Sequence, residues 1–202
     1  MIMQSSKNSE AVENPNDSAN SGGSVFIDQR SGENIDQPFG KVLPPWLEKK
    51  LITPEALEEK SSYLRGRQLS IATLNGSFDL LHAGHLFIIH EASKQADRLI
   101  VALNSDGSIQ KYKSKDRPIV PLCYRIEMMA ALEFVDFVTW FDEVDPCSIL
   151  EKIKSDVHVN GAEYGENCVE AGTVRKYGGR IHLVNRIDSL STSNIIDKIR
   201  CG

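Results

Sequence analysis

Short apolar runs alternate with helical patterns along most of the chain. Runs of four to six residues predict buried strands at 69–74, 98–103, 136–141, 156–159 and 180–184. Apolar residues at helical spacing predict helices near 84–95, 121–133, 146–154, 166–177 and 192–200. Strands that alternate with helices indicate a parallel sheet covered on both faces. Right-handed crossovers then give an α/β, doubly wound, five-stranded fold.

The chain before the first strand divides into two parts. Residues 1–40 are rich in Ser, Asn, Gly, Asp and Gln and poor in apolar residues, so we predict a disordered tail. Residues 41–66 are predicted to form a helical extension. Within it, Thr53-Pro54-Glu55 has the N-cap and first-turn residues of a helix that runs to about Tyr63. Residues 67–202 then form the main domain.

The composition is that of a soluble globular protein, with 41% hydrophobic residues. A net charge of −5 gives no reason to expect a general nucleic-acid binder. No apolar stretch is long enough to cross a membrane, and the N-terminus lacks the pattern of a secretory signal. The cysteines form no C-x-x-C pair, so we expect no zinc site and reduced thiols in a cytoplasmic protein. They are Cys123, Cys147, Cys168 and Cys201.

The strongest chemical signal is the turn after the first predicted strand, Gly76-Ser-Phe-Asp-Leu-Leu-His-Ala-Gly-His85. In doubly wound folds, ligands bind beyond the carboxyl ends of the strands, where this turn lies. Gly76 is expected to let the backbone approach a ligand closely. His82 and His85 start a helix and share one face with its exposed amides. Either histidine alone would be an ordinary surface or core residue, but the whole pattern favours a polyphosphate site.

This turn, G-x-F-D-x-x-H-x-G-H, resembles the signature of the cytidylyltransferase-like nucleotidyltransferases. Four later segments are similar to those of one branch, the D-glycero-β-D-manno-heptose 1-phosphate adenylyltransferases, which form the nucleotidyltransferase part of bacterial ADP-heptose synthases. These segments are Ala102-Leu-Asn-Ser-Asp106, Arg117-Pro-Ile-Val-Pro-Leu122 with Arg125, Val159-Asn-Gly-Ala-Glu-Tyr164 and Ser191-Thr-Ser-Asn-Ile-Ile196. The resemblance implies a Rossmann-like nucleotidyltransferase domain over residues 67–202.

The resemblance also implies the site residues. Those expected to be catalytic are His82, His85 and Lys113. Those expected to bind ATP are Gly76, Ser77, Phe78, Asp79, Gly84, Asn104, Arg125, Gly161, Glu163, Tyr164, Ser191, Thr192 and Ser193. Among them, Arg125 is expected to clamp phosphate, and the hydroxyl-rich start of the last helix is expected to receive the triphosphate.

Several of these residues also fit simpler interpretations. Lys113 belongs to four cations within seven residues, which is usual for a solvated face. Its place after the second strand fits phosphate binding as well. Ser191 fits a plain N-cap, and Tyr164 fits a packing aromatic. Asp79 is expected to cap the following helix, or to orient a histidine or a metal shell.

The implied activity is transfer of AMP from ATP to a sugar 1-phosphate, with heptose 1-phosphate as the expected acceptor and pyrophosphate as the leaving group. Mg²⁺ is expected to bridge phosphate oxygens without dedicated protein ligands, and the enzyme is expected to be a homodimer. Three other functions stay open. Arg186 stands where glycerol-phosphate cytidylyltransferases have an arginine, which favours a cytidylyltransferase acting on an alcohol phosphate such as glycerol 3-phosphate; Ser189, in place of a usual glycine, is a departure that alters the loop. A non-catalytic nucleotide-binding regulator is a second alternative, opposed by the joint presence of His82, His85 and Lys113. A protein-interaction role of residues 1–40 is a third, and it is compatible with catalysis.

Removing residues 1–40 is expected to leave catalysis intact, because this segment has few apolar residues with which to join a core. A chain that begins near Lys41 should keep near-full turnover in a product assay. A shortened protein that stays folded but loses most of its activity would contradict this expectation.

Overall fold

The computed structural model describes residues 43–185 and 191–201. The predicted tail at 1–40 and the two positions Arg186 and Ser189 lie outside the described residues.

The described residues form a five-stranded, fully parallel sheet, which confirms the predicted fold class. Its strands are β1 (Ile71–Gly76), β2 (Arg98–Asn104), β3 (Phe137–Phe141), β4 (Val157–Gly161) and β5 (Arg180–Val184). Their order across the sheet is β3-β2-β1-β4-β5. The chain therefore builds outward from β1 to β3 and then returns to place β4 on the other side of β1. The switch point, where such folds bind ligands, lies between β1 and β4.

Helices lie on both faces of the sheet, as the alternating pattern predicts. They are α1 (Pro45–Glu48), α2 (Leu57–Gly66), α3 (Ala83–Ser93), α4 (Asp106–Tyr112), α5 (Leu122–Ala130), α6 (Cys147–Ile153), α7 (Ala171–Lys176) and α8 (Thr192–Cys201). The helical pattern misses α4, which is short and contains Gly107, an unfavourable helix residue. A capping signal does precede it, since the Oγ of Ser105 accepts a hydrogen bond from Ser108 N at 3.1 Å.

Two predicted helix starts are wrong. Residues 54–56 form a turn, closed by a hydrogen bond from Ala56 N to Thr53 O at 3.0 Å, and α2 begins only at Leu57. Thr53 therefore does not cap that helix. Similarly, α7 begins at Ala171 rather than near residue 166. In both places, residues of helical type take up turn geometry before the helix itself begins.

The N-terminal extension packs into the core of the domain. Ile52 N donates to Val138 O at 2.9 Å and Val138 N donates to Lys50 O at 2.8 Å, so this segment lies parallel to the outer edge of β3. Leu57 and Leu64 of α2 are fully buried in one core cluster with residues of β2 and α6. The second cluster lies on the other face of the sheet, under α3 and α5. The extension thus protects a sheet edge that would otherwise be open to pairing.

The described helices include none with the length and apolar character needed to cross a membrane. The four cysteines are all unbridged.

One buried histidine makes the stability of the fold depend on pH. His158, on β4, has no exposed area, and its Nδ1 lies 2.8 Å from Thr73 Oγ1. Its Nε2 has no hydrogen-bond partner within the residues that the structure describes. Burial lowers the pKa of His158 from 6.5 to about 4. The folded protein therefore keeps this imidazole neutral at pH values where the unfolded chain protonates it.

The free energy of unfolding is expected to fall as the pH drops from about 6.5 towards 4, because only the unfolded chain gains the proton there. The shift corresponds to about 3 kcal/mol, fully present above pH 6.5. His158→Asn, which keeps a polar partner for Thr73, should flatten this part of the curve. Urea unfolding at several pH values measures both proteins. An identical pH slope in the variant would show that other groups cause the dependence.

Candidate active site

The turn after β1 buries the aromatic ring of Phe78 and holds its backbone in a left-handed conformation. Phe78 is 4% exposed and has a φ of 42°, a left-handed conformation that is unusual for an aromatic residue. A Cβ at Gly76 would lie 3.0 Å from the Phe78 ring. The space next to Gly76 is therefore taken by the Phe78 ring, which gives a second reason for a glycine at this position. Backbone strain of this kind is typical of functional turns held by their surroundings.

The two motif histidines stack on each other at the start of α3. Their ring centroids are 3.9 Å apart with an interplanar angle of 22°, which confirms that His82 and His85 share one face. The Phe78 ring packs edge-on against His85, with centroids 5.3 Å apart. His82 is the N-cap of α3, and its Nδ1 accepts a hydrogen bond from Gly84 N at 3.1 Å. In the neutral imidazole this places the proton of His82 on Nε2.

Lys113 reaches the same turn from the other side. It follows the last residue of α4, and its Nζ donates to Ser77 Oγ at 3.0 Å. Burial lowers the pKa of Lys113, and the positive charge of Arg117 lowers it further. The ammonium group is therefore close to a second cation, an arrangement that a bound anion would stabilise.

Asp79 holds the segment that follows Lys113. Its fully buried carboxylate accepts hydrogen bonds from Arg117 Nε at 2.7 Å and from the backbone amides of Ile119 and Val120, each at 2.8 Å. The prediction that Asp79 caps the following helix is wrong, since His82 takes that place. The carboxylate instead fixes the loop between α4 and α5 against the turn after β1.

Arg125 is buried beneath the turn after β1. It is 1% exposed, and its three nitrogens all donate to protein acceptors. Nε donates to Val120 O at 2.9 Å, Nη1 to Ser77 O at 2.7 Å and to Asn104 O at 2.9 Å, and Nη2 to the Asp106 carboxylate at 2.6 Å. The side chain of Asn104 is also buried, donating to Ser108 Oγ at 3.0 Å.

The end of β4 contributes a carboxylate and an exposed ring. Gly161 is in close contact with the Glu163 carboxylate, which occupies the place of a Cβ. Asn160, just before it, accepts a hydrogen bond from Gly161 N at 3.1 Å. Tyr164 is 64% exposed. Its ring is therefore available to a ligand, which argues against the interpretation as a packing aromatic.

The start of α8 approaches the first turn. Ser191 Oγ accepts a hydrogen bond from Asn194 N at 3.1 Å, so the N-cap interpretation is confirmed. Thr192 Oγ1 donates to Leu80 O at 3.4 Å and connects this helix to the turn after β1. The helix start thereby presents its hydroxyls and amides beside the two imidazoles.

These elements enclose one cleft at the carboxyl ends of β1 and β4, here called the switch-point cleft. The predicted site residues that line it are Gly76, Ser77, Phe78, His82, Gly84, His85, Lys113, Gly161, Glu163, Tyr164, Ser191, Thr192 and Ser193. Asp79, Asn104 and Arg125 do not line it, because their side chains are buried behind its wall. Polar lining residues absent from the predicted set are Asn75, Arg117, Asn160 and Asn185. Arg117 and Asn160 stand inside motif segments quoted above, and Asn75 directly precedes the first motif, so the sequence offered a signal for these three.

The lining suits a phosphate-bearing ligand. It combines the Lys113 ammonium and the Arg117 guanidinium with imidazoles and helix-start amides, which are the groups that bind phosphate oxygens. Within residues 43–185 and 191–201, no group of three or more His, Cys, Asp or Glu side chains is arranged to hold a metal ion.

Comparison with known proteins agrees with this arrangement. Residues 73–198 match the family model for cytidylyltransferase-like proteins. The bifunctional protein HldE of Geotalea uraniireducens is 42% identical over 144 residues, an alignment that covers 71% of this chain and 29% of that protein. HldE of Alcanivorax borkumensis is 44% identical over 131 residues, covering 64% of this chain and 28% of the relative. The chain thus spans under a third of the length of these two relatives, as the 29% and 28% show.

One solved structure also aligns with part of the chain. The lipopolysaccharide core biosynthesis protein from Thermoplasma volcanium GSS1 aligns with a TM-score of 0.48 and 24% identity, covering 59% of this chain and 97% of that one. The family match extends from the middle of β1 into α8 and so includes every lining residue of the switch-point cleft. It confirms the resemblance seen in the first motif, and the chain belongs to the cytidylyltransferase-like family of nucleotidyltransferases.

Proposed function

We propose that this chain transfers AMP from ATP to a sugar 1-phosphate and releases pyrophosphate. The observation that carries the proposal is the meeting of two stacked imidazoles, one lysine ammonium and a hydroxyl-bearing helix start in the switch-point cleft. Heptose 1-phosphate is the proposed acceptor. The four later segments that resemble heptose 1-phosphate adenylyltransferases support it, as does 42–44% identity to proteins named HldE.

The reaction needs no protein group as a general base. An oxygen of the acceptor phosphate, already anionic at neutral pH, forms a bond to the α-phosphorus of ATP. The bond from that phosphorus to the oxygen bridging to the β-phosphate breaks, and its electron pair leaves with pyrophosphate. The protein then has to align the two phosphates and stabilise the charge that shifts between them.

The lining residues divide this work by position. His82 and His85 would donate to the oxygens of the α-phosphoryl group, because they lie together at the start of α3. Lys113 and the start of α8 would hold the remaining phosphates. Glu163 and Tyr164, at the end of β4, would contact the ribose and the base. A preorganised donor at the reacting centre costs no reorganisation during transfer.

Mg²⁺ fits this cleft as part of the nucleotide. The described residues contain no carboxylate and imidazole cluster that would form a protein cage. Mg²⁺ usually keeps several waters and binds through substrate phosphates. Bound in this way, the ion would neutralise phosphate charge and favour departure of pyrophosphate.

A product assay with separate nucleotides and acceptors tests the proposal. ATP with D-glycero-β-D-manno-heptose 1-phosphate should give ADP-heptose and pyrophosphate, and CTP should give little product. CDP-glycerol formed from CTP and glycerol 3-phosphate would favour the alternative that rests on Arg186. Nucleotide binding without any product from a broad panel of acceptors would favour the regulator.

His85→Ala is expected to lower turnover on the order of 10²- to 10³-fold, with a smaller effect on ATP binding, because the lost donor acts mainly on the transition state. His90→Ala is a matched control on the same helix. His90 lies outside the cleft, against Phe134 and Glu91. Single-turnover rates and melting temperatures of both variants are the measurement. Normal turnover with lowered stability in His85→Ala would remove the catalytic assignment and favour the regulator.

Lys113→Ala is expected to weaken ATP binding, because a charge-assisted contact to phosphate is worth roughly 1.5–3 kcal/mol, or about 10- to 150-fold. Lys111→Ala removes a nearby charge that contacts Asp142 O outside the cleft, and it should change binding little. Titration calorimetry with ATP compares the two. Equal affinities in both variants would place Lys113 on a solvated face.

A further inference from the structure

Arg117 lies in the loop before α5 and Arg125 lies in α5 itself. Of these two arginines, only Arg117 lines the switch-point cleft. Arg125 carries the expected phosphate-clamp role, but it is 1% exposed and its three nitrogens donate to Val120, Ser77, Asn104 and Asp106. Arg117 lines the cleft. The arginine available to a ligand is therefore the one that the motif comparison left without a role.

The guanidinium of Arg117 is held along one edge only. Its Nε donates to the Asp79 carboxylate at 2.7 Å, and the side chain is 15% exposed. Its Nη2 atom is buried and has no hydrogen-bond partner in the part of the chain that the structure describes. Leaving such a donor without an acceptor costs free energy. With Nε anchored by Asp79, the donors of the guanidinium that remain for another acceptor are those on its Nη nitrogens.

The neighbours of Arg117 point to an anion as the missing acceptor. Lys113 and Ser77 line the same cleft and are joined by a hydrogen bond of 3.0 Å. The positive charge of Arg117 also lowers the pKa of Lys113, next in size after burial. Two cations that repel each other beside an unsatisfied donor are stabilised together by one anionic group with several oxygens.

We propose that Arg117 is a phosphate-binding residue of the switch-point cleft, oriented by Asp79 and acting beside Lys113. The proposal rests on the proposed function, since it assigns this arginine to one of the two phosphate-bearing substrates. Those substrates are the nucleoside triphosphate and the acceptor sugar phosphate. Both offer the same chemistry, a phosphate group whose oxygens accept hydrogen bonds from the guanidinium.

The test compares wild-type protein with Arg117→Gln, Arg117→Lys and Lys115→Gln. Lys115→Gln is the matched control, because it removes one positive charge from an exposed residue of the same loop outside the cleft lining. Titration calorimetry is run with ATP, with inorganic pyrophosphate, with D-glycero-β-D-manno-heptose 1-phosphate and with adenosine. Melting temperatures show whether each variant is folded at the temperature of the titration.

Arg117→Gln is expected to weaken at least one phosphate-bearing ligand about 10- to 150-fold and adenosine little, while Lys115→Gln changes affinities less than about threefold. Arg117→Lys keeps a positive charge that can pair with Asp79 but lacks the Nη donors, so its affinity for that ligand should still fall about tenfold. This second variant decides the question if Arg117→Gln fails to fold. Weakening of ATP and pyrophosphate assigns Arg117 to the triphosphate, and weakening of the sugar phosphate alone assigns it to the acceptor.

Two results overturn the assignment, and they differ from each other. If wild-type protein binds ATP and the sugar phosphate, but the folded Arg117 variants bind them equally well, Arg117 has only a structural role and the proposed function stands. If the wild-type protein binds none of the phosphate-bearing ligands, the proposed function fails and the role of Arg117 fails with it.

Discussion

The buried guanidinium of Arg125 connects the chain segments on which the switch-point cleft is built. It donates to a carbonyl of the turn after β1, to the last carbonyl of β2 and to the loop before α5, and it pairs with Asp106 at the start of α4. A buried charge is stable only when it is paired and hydrogen-bonded in this way. Because these contacts need the segments at fixed distances, the position of one side chain sets the geometry of the wall.

Asp79 adds a second connection between the segments that form the cleft wall. Its carboxylate accepts from the amides of Ile119 and Val120 and from Arg117, so the loop between α4 and α5 is fixed to the turn that carries the two histidines. Phe78 also stabilises this turn, because burial of its ring keeps its backbone in the left-handed conformation. Groups that must meet a transferring phosphoryl group within fractions of an ångström need this kind of support.

The sequence predicts the sheet well and the roles of the arginines poorly, for a physical reason. The runs at 98–103 and 180–184 have the length and the mainly apolar character of strands in a parallel sheet, and both are found within a residue of their predicted ends. The role of an arginine depends on which acceptors surround it after folding. Arg117 and Arg125 stand in one motif segment, and their spacing along the chain does not show that the first lines a cleft while the second is buried.

Helix starts are hard to predict for a related reason. At Thr53-Pro54 the residues suit an N-cap and a first helical turn, but the structure uses them for a turn that leads from the edge of β3 into α2. Local preference is worth a few tenths of a kcal/mol to about 1 kcal/mol, and the burial of Leu57 and Leu64 outweighs it. Burial of apolar side chains also explains why the extension packs as part of the core rather than as a separate helical segment.

The net charge of −5 does not oppose phosphate binding, because screening confines the influence of distant surface charges to roughly 8–10 Å. Within that range the cleft wall offers Lys113 and Arg117, and Asp79 offsets part of the second charge. The remaining donors are imidazole, hydroxyl and amide groups. A strongly cationic cleft would hold substrate and pyrophosphate alike and slow product release. A cleft with few charges and many directional donors instead stabilises the transition state more than it stabilises bound substrate or product. This difference in stabilisation is what accelerates the transfer.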